Sequence, residues 1–169
     1  MAGNVTAQDL MKPTFMRLGA VHTLREAMGI LLEPQARHNE PRTLIILNPD
    51  GSFAGLLTTR HLLKALLEEW AADHGDAPND ERLEQELPVV LEKRLTLHVT
   101  EAMHRDAPVV SPQERLPRLM ELMRDKRLDC VPVVEKDHVV GVVYLSDVFN
   151  AAAQLALAGQ SDTAAPPEP

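Results

Sequence analysis

Apolar residues recur at helical spacing in one stretch of this chain and return in the same arrangement 92 positions later. Leu24, Ala27, Met28, Ile30 and Leu31 mark one face of an amphipathic helix, and Leu116, Leu119, Met120, Leu122 and Met123 mark the same face again. Met11 and Met103 share that offset. Further on, Gly55-Leu56-Leu57-Thr58-Thr59-Arg60-His61-Leu62-Leu63 is answered by Gly141-Val142-Val143-Tyr144-Leu145-Ser146-Asp147-Val148-Phe149 at an offset of 86, so the first copy carries six extra residues in its middle. Two copies of one unit tend to bury their apolar faces against each other, and the seam between them is a natural place for clefts.

The pattern predicts the same order of elements in each copy. A short helical turn at Gln8 to Met11 leads into an extended piece near Phe15 to Leu18, and Thr23 caps a helix running to about Leu32. Glu33 to Arg42 reads as a loop bounded by Pro34 and Pro41. Thr43 to Leu47 and Ser52 to Leu57 are strands joined by Asn48-Pro49-Asp50-Gly51, and Thr58 or Thr59 opens a second helix. In the second copy, Thr100 to His104 is the turn and Ala107 to Val110 the extended piece; Pro112 leads to a helix through Arg124. Cys130 to Val134 and Val139 to Tyr144 are the strands, and Ser146 caps a last helix ending near Ala158. The inward positions of that helix, Val148, Phe149, Ala152, Ala153 and Ala156, correspond to Leu62, Leu63, Leu66, Leu67 and Trp70.

Two stretches lie outside the duplication. His74 to Asp80 is a Gly-, Pro- and Asp-rich linker, and Glu81 to Arg94, with Leu83, Leu87, Val90 and Leu91 at helical spacing despite Pro88, is expected to be an irregular or short helical insertion. The organisation expected is therefore a first unit over residues 1–74, a linker or insertion over 75–96, a second unit over 97–158 and a disordered tail over 159–169.

Composition narrows the function classes. A length of 169 residues with 44% hydrophobic content suits a globular core. A formal charge of −8 without clustered Lys and Arg argues against attachment to nucleic-acid backbones or anionic lipid. No apolar run approaches the roughly 18 residues of a membrane-spanning helix. Met1 to Asp9 lacks the pattern of a secretion signal, and Cys130 is the sole cysteine, so a reducing cytoplasm is the expected location.

Val131-Pro132-Val133-Val134, then Gly141-Val142-Val143 followed by Ser146-Asp147, together with the helix-strand-strand-helix order seen twice, resemble the cystathionine-β-synthase (CBS) domain, which occurs as a tandem pair. The resemblance runs from about Val5 to Ala158. It implies an α/β (α+β) fold of two β-α-β-β-α units packed sheet to sheet with pseudo-two-fold symmetry. It also implies clefts that, in many members, hold AMP, ADP, ATP or S-adenosylmethionine as regulatory ligands, with no required cofactor.

An adenosine ligand needs a carboxylate for its ribose hydroxyls, apolar walls for the base and donors for phosphate. In the family, Gly-apolar-apolar-Thr/Ser-x-x-Asp supplies both polar ends. The second copy has Asp147 and Ser146 but Tyr144 where a small hydroxyl residue is usual; the first has Thr58, Thr59 and Arg60 but His61 where the carboxylate belongs. Asp147 therefore reads either as a ribose acceptor or as a helix-start carboxylate offsetting the macrodipole. Thr58, Thr59 and Arg60 read either as phosphate contacts or as a cap beside a solvated arginine. The base walls would come from Ala107, Pro108, Val109, Val131 and Pro132 in one copy and from Thr14, Phe15, Met16 and Leu44 in the other, unless these are simply core.

Catalytic and metal chemistry find little support. His22, His38, His61, His74, His98, His104 and His138 show no metal-ligand spacing, Cys130 sits in a strand expected to be buried, and neither a Gly-x-Ser-x-Gly elbow nor a Gly-rich phosphate loop is present. The expected function is a stand-alone, non-enzymatic sensor that binds an adenine-containing ligand and signals in trans to an effector protein. The alternative is a ligand-free scaffold for dimerisation or docking. A homodimer is expected in either case, through the helices Leu62 to Trp70 and Val148 to Ala156.

Overall fold

The computed structural model describes residues 4–33, 42–74 and 81–161. Its elements, in chain order, are α1 (Ala7–Leu10), β1 (Arg17–Gly19), α2 (Leu24–Leu32), β2 (Thr43–Leu47), β3 (Phe53–Thr58), α3 (Thr59–His74) and α4 (Glu81–Arg94). After a 3-10 turn at Val99–Glu101 come α5 (Leu116–Lys126), β4 (Cys130–Glu135), β5 (His138–Tyr144) and α6 (Leu145–Ser161). The fold is mixed α/β, with the element order that the duplication predicts. Most of the 33–42 loop, residues 75–80 of the linker and residues 162–169 of the tail lie outside the described residues.

The chain compacts into two units: Phe15–Ala107, and Met1–Thr14 together with Pro108–Pro169. Packing therefore does not follow the repeat boundaries at 74 and 97, because each unit contains the lead-in segment of the other repeat. The main-chain hydrogen bonds show the reciprocity. In one unit Ala7 N donates to Glu114 O (2.8 Å) and Leu116 N to Val5 O (3.0 Å); in the other Val99 N donates to His22 O (2.9 Å) and Leu24 N to Leu97 O (2.8 Å). Each pair satisfies amide N–H groups at a helix start that have no partner within their own helix.

In the Phe15–Ala107 unit the sheet order is β1-β2-β3, with β1 parallel to β2 and β2 antiparallel to β3. His104 pairs with Leu56 at the β3 edge. Leu24, Ala27, Leu31, Leu44, Ile46, Leu57, Leu62, Ala65, Val99 and Met103 form the core. The β2–β3 turn is held by Asp50, whose Oδ1 accepts from Ser52 N (2.9 Å) and Ser52 Oγ (2.6 Å), while Gly51 takes the positive φ of 85° that the turn requires.

Of the two forms expected for the insertion, irregular or a short helix, the helix is the one present: α4 runs its 14 residues through Pro88. Its C-terminal end is fixed by Arg94, whose Nε and one guanidinium nitrogen donate to Ala65 O (2.9 and 2.8 Å) and whose other nitrogen reaches Glu69 (3.0 Å). This side chain is 12% exposed. These charge-assisted bonds tie the end of α4 to α3.

In the other unit β4 pairs antiparallel with β5, Val110 adds a parallel bridge at Val133, and Lys12 pairs with Val142 at the β5 edge. Positive φ at both Lys136 (50°) and Asp137 (66°) gives the hairpin the twist that matches its strands. Ala7, Val110, Leu116, Leu119, Met123, Val131, Val133, Val143 and Val148 form the core. α6 starts at Leu145, so Ser146 lies within its first turn and is not the cap, and the helix includes Gly159 to Ser161, which were expected in the tail.

The inward set expected on the two long helices is also corrected. Leu62, Leu66 and Val148 are buried, but Phe149 is 68% exposed, Leu63 60% and Leu67 39%. Each helix meets its core along a narrow stripe, which leaves a second apolar strip facing outward within its own unit.

Candidate functional site

The site in the second repeat is built at the junction of β5 and α6. Gly141 allows the lead-in segment to lie directly on β5: a Cβ there would stand 2.9 Å from Met11 Sδ and 3.0 Å from Lys12 O. Lys12 N donates to Val142 O (2.9 Å) and Val142 N returns a bond to Lys12 O (3.0 Å). This register aims the Lys12 side chain at the first turn of α6. Its Nζ lies 3.6 Å from Asp147 Oδ2 and 5.3 Å from the centroid of the buried Tyr144 ring.

Asp147 is the residue around which the site turns. It is the third residue of α6, where a carboxylate is favoured by the helix dipole. Its Oδ2 is shut off from solvent, yet among the described residues no donor reaches it within hydrogen-bond distance, since Lys12 at 3.6 Å makes an ion pair only. A solvent-excluded carboxylate oxygen without a donor is an unmet acceptor.

The equivalent junction in the first repeat is closed on itself. Thr58 N donates to His61 Nδ1 (3.2 Å), and His61 N donates to Thr58 Oγ1 (3.3 Å). The pair is a capping box in which imidazole replaces the usual carboxylate. Because Nδ1 accepts the Thr58 N–H, the ring is held neutral. Burial, and then electrostatic interaction with His104, Lys64 and Arg60, push the His61 pKa down. His104 occupies the place of Lys12, with its ring 5.8 Å from that of His61. A cavity of about 350 Å³ beside them is lined by His61, Lys64, Glu68, Glu101 and His104.

The other expected site residues scatter in character. Val131 and Leu44 are fully buried in their cores, Ala107 is buried, and Pro132 accepts Val110 N–H (3.0 Å) through its carbonyl. Met16 packs against the Phe15–Ala107 core. Pro108 and Thr58 are half-buried, while Val109, Ser146, Thr59 and Arg60 are exposed. Phe15 is half-buried, with the Arg17 guanidinium 6.0 Å from its ring centroid. Lys12 and His104 are the residues that the sequence reading missed. The signal was present: they share the 92-residue offset, just as His61 and Asp147 share the 86-residue offset.

A family model for the CBS domain matches residues 6–68 and again 99–154. The chain belongs to the CBS domain family, as a tandem pair. Solved structures with the same fold include a putative acetoin utilization protein (AcuB) from Vibrio cholerae, 23% identical, covering 98% of this chain and 99% of that one with a TM-score of 0.64. The CBS domain pair of protein MJ0100 in complex with 5′-methylthioadenosine and S-adenosyl-L-methionine is 19% identical over 90% and 99% of the two chains, with a TM-score of 0.65. The cytosolic domain of the Mg²⁺ channel MgtE in complex with ATP is 20% identical, with a TM-score of 0.62; the match covers 86% of this CBS pair but 48% of that chain. No curated protein matches significantly. Among the described residues, no helix is long and apolar enough to cross a membrane.

Proposed function

We propose that this CBS pair is a regulatory module that takes one adenine-containing ligand, AMP, ADP, ATP or S-adenosylmethionine, at the β5–α6 junction and passes its bound state to an effector protein in trans. The observation that carries this reading is Asp147 Oδ2, a solvent-excluded acceptor without a donor, at the position where the family motif places its carboxylate. The two hydroxyls of a ribose are donors of the right kind and number. The adenosine ligands named for MJ0100 and MgtE share that ribose. The first repeat has His61, engaged by Thr58, where the second has the Asp147 carboxylate, so one ligand per chain is expected. The bound state can shift the module only by the ligand's differential affinity for its two arrangements.

A homodimer in the cytoplasm is the assembly we propose, with Phe149, Leu63 and Leu67 as its apolar contacts. The same exposed strips support the second reading, a ligand-free scaffold. Thermal unfolding with a panel of AMP, ADP, ATP and S-adenosylmethionine, alongside sedimentation, separates the two. A stabilising shift with at least one compound supports the sensor; a dimer that shifts with none is the scaffold.

A further inference from the structure

Resting on the reading of Asp147 as a ribose acceptor, we propose that Lys12 is the charge selector of that site, making it take an anionic adenine nucleotide in preference to neutral adenosine or cationic S-adenosylmethionine. The geometry places Lys12 Nζ 3.6 Å from the carboxylate oxygen that would accept from the ribose, so it stands beside any ligand bound there. The ammonium lies over the Tyr144 ring and is carried on a long flexible stem that is 32% exposed, so it can turn toward a group bound next to Asp147 without leaving the site.

Each ligand charge class meets this ammonium differently. A ribose that donates to Asp147 competes with Lys12 for the same carboxylate. A 5′-phosphate a few bonds away gives the displaced ammonium a new anionic partner, so the ion pair is exchanged and not merely broken. Neutral adenosine offers no such partner, and a 5′-sulfonium puts a second positive charge beside the first. Lys12 belongs to the exchanged lead-in: it comes from the first repeat and serves the second. The matching position in the first repeat's unit holds His104, whose ring lies 5.8 Å from that of His61, beside which Arg60 and Lys64 also act. That cluster has no carboxylate at the position of Asp147, so it does not reproduce this arrangement.

The test is calorimetric titration of the full chain with AMP, adenosine and S-adenosylmethionine, repeated on Lys12→Met and Lys12→Arg after thermal unfolding has confirmed that both variants fold. The expected result is AMP binding at least about ten-fold tighter than adenosine or S-adenosylmethionine in the wild type. Lys12→Met should collapse that ratio while leaving adenosine affinity equal or improved, and Lys12→Arg should retain the preference. Wild-type binding of adenosine or S-adenosylmethionine as tight as AMP, or an unchanged ratio in Lys12→Met, overturns the selector role and leaves the ligand site standing. Failure of all three compounds to bind, together with ADP and ATP titrated alongside them, overturns the site reading itself, and the selector role with it.

Discussion

Gly141 and Met11 lie so close that a Cβ on the glycine would stand 2.9 Å from the methionine sulfur, and Gly55 and Met103 repeat the contact at 2.8 Å. In both cases the methionine comes from the lead-in of the other repeat. The glycine is needed for space, because main-chain oxygens of Lys12 and His104 stand 3.0 Å from the same added atom.

Gly141→Ala and Gly55→Ala should therefore each destabilise the protein by about 1–3 kcal/mol, the cost of overpacking a site whose neighbour includes backbone. Denaturant unfolding measures this. Pairing Gly141→Ala with Met11→Ala should give a loss smaller than the sum of the two single losses, since the methionine sulfur is one of the two groups in the way.

The start of α2 should respond to acid. Thr23 N donates to Glu26 (2.8 Å), and this bond, aided by His22, lowers the Glu26 pKa from 4.5 to about 2. A depressed carboxyl pKa contributes stability above the unfolded value that is lost as pH falls through the folded one. The stability difference between wild type and Glu26→Gln should be full above pH 4.5 and shrink toward zero as pH falls to about 2. Unfolding curves across that window check it.

His61 has the opposite chemistry and the same direction of response. Its pKa is pushed down by burial and by His104, Lys64 and Arg60, so the unfolded chain binds the proton more readily. Stability should fall as pH drops through the ordinary histidine value of 6.5. His61→Gln should flatten that slope.

Arg94→Met should release α4 from α3. Losing charged hydrogen bonds to Ala65 O and Glu69 costs about 1.5–3 kcal/mol each in favourable settings, and these donors belong to a side chain only 12% exposed. Hydrogen exchange should show faster opening of Glu81–Arg94 while β2 and β3 keep their protection.

Much of this architecture is legible in the chain, because local rules decide it. The helix faces follow from the spacing of Leu24, Ala27 and Leu31, the hairpin from Asn48 to Gly51, and the start of α2 from Thr23 and Glu26. The exchanged lead-ins are not legible, because no periodicity within Thr6 to Met11 states which strand edge will receive it; the register with Val142 is fixed by Gly141, 130 positions from Met11. Asp147 could be named from its motif, whereas Lys12 carries only the 92-residue offset that it shares with His104, which marks the two as equivalent without saying what they face. The outward placement of Phe149 also escapes sequence reasoning, since an apolar residue one step off the buried stripe has the same composition as one on it.

The most direct test of the account is titration of AMP into the wild-type chain and into Asp147→Asn, a change that keeps the size of the side chain and removes its charge. The account predicts one site per chain in the wild type and a loss of roughly ten- to a hundred-fold in affinity in the variant, as expected for losing charge-assisted hydrogen bonds to the ribose. Equal affinity of AMP for the two proteins would contradict it.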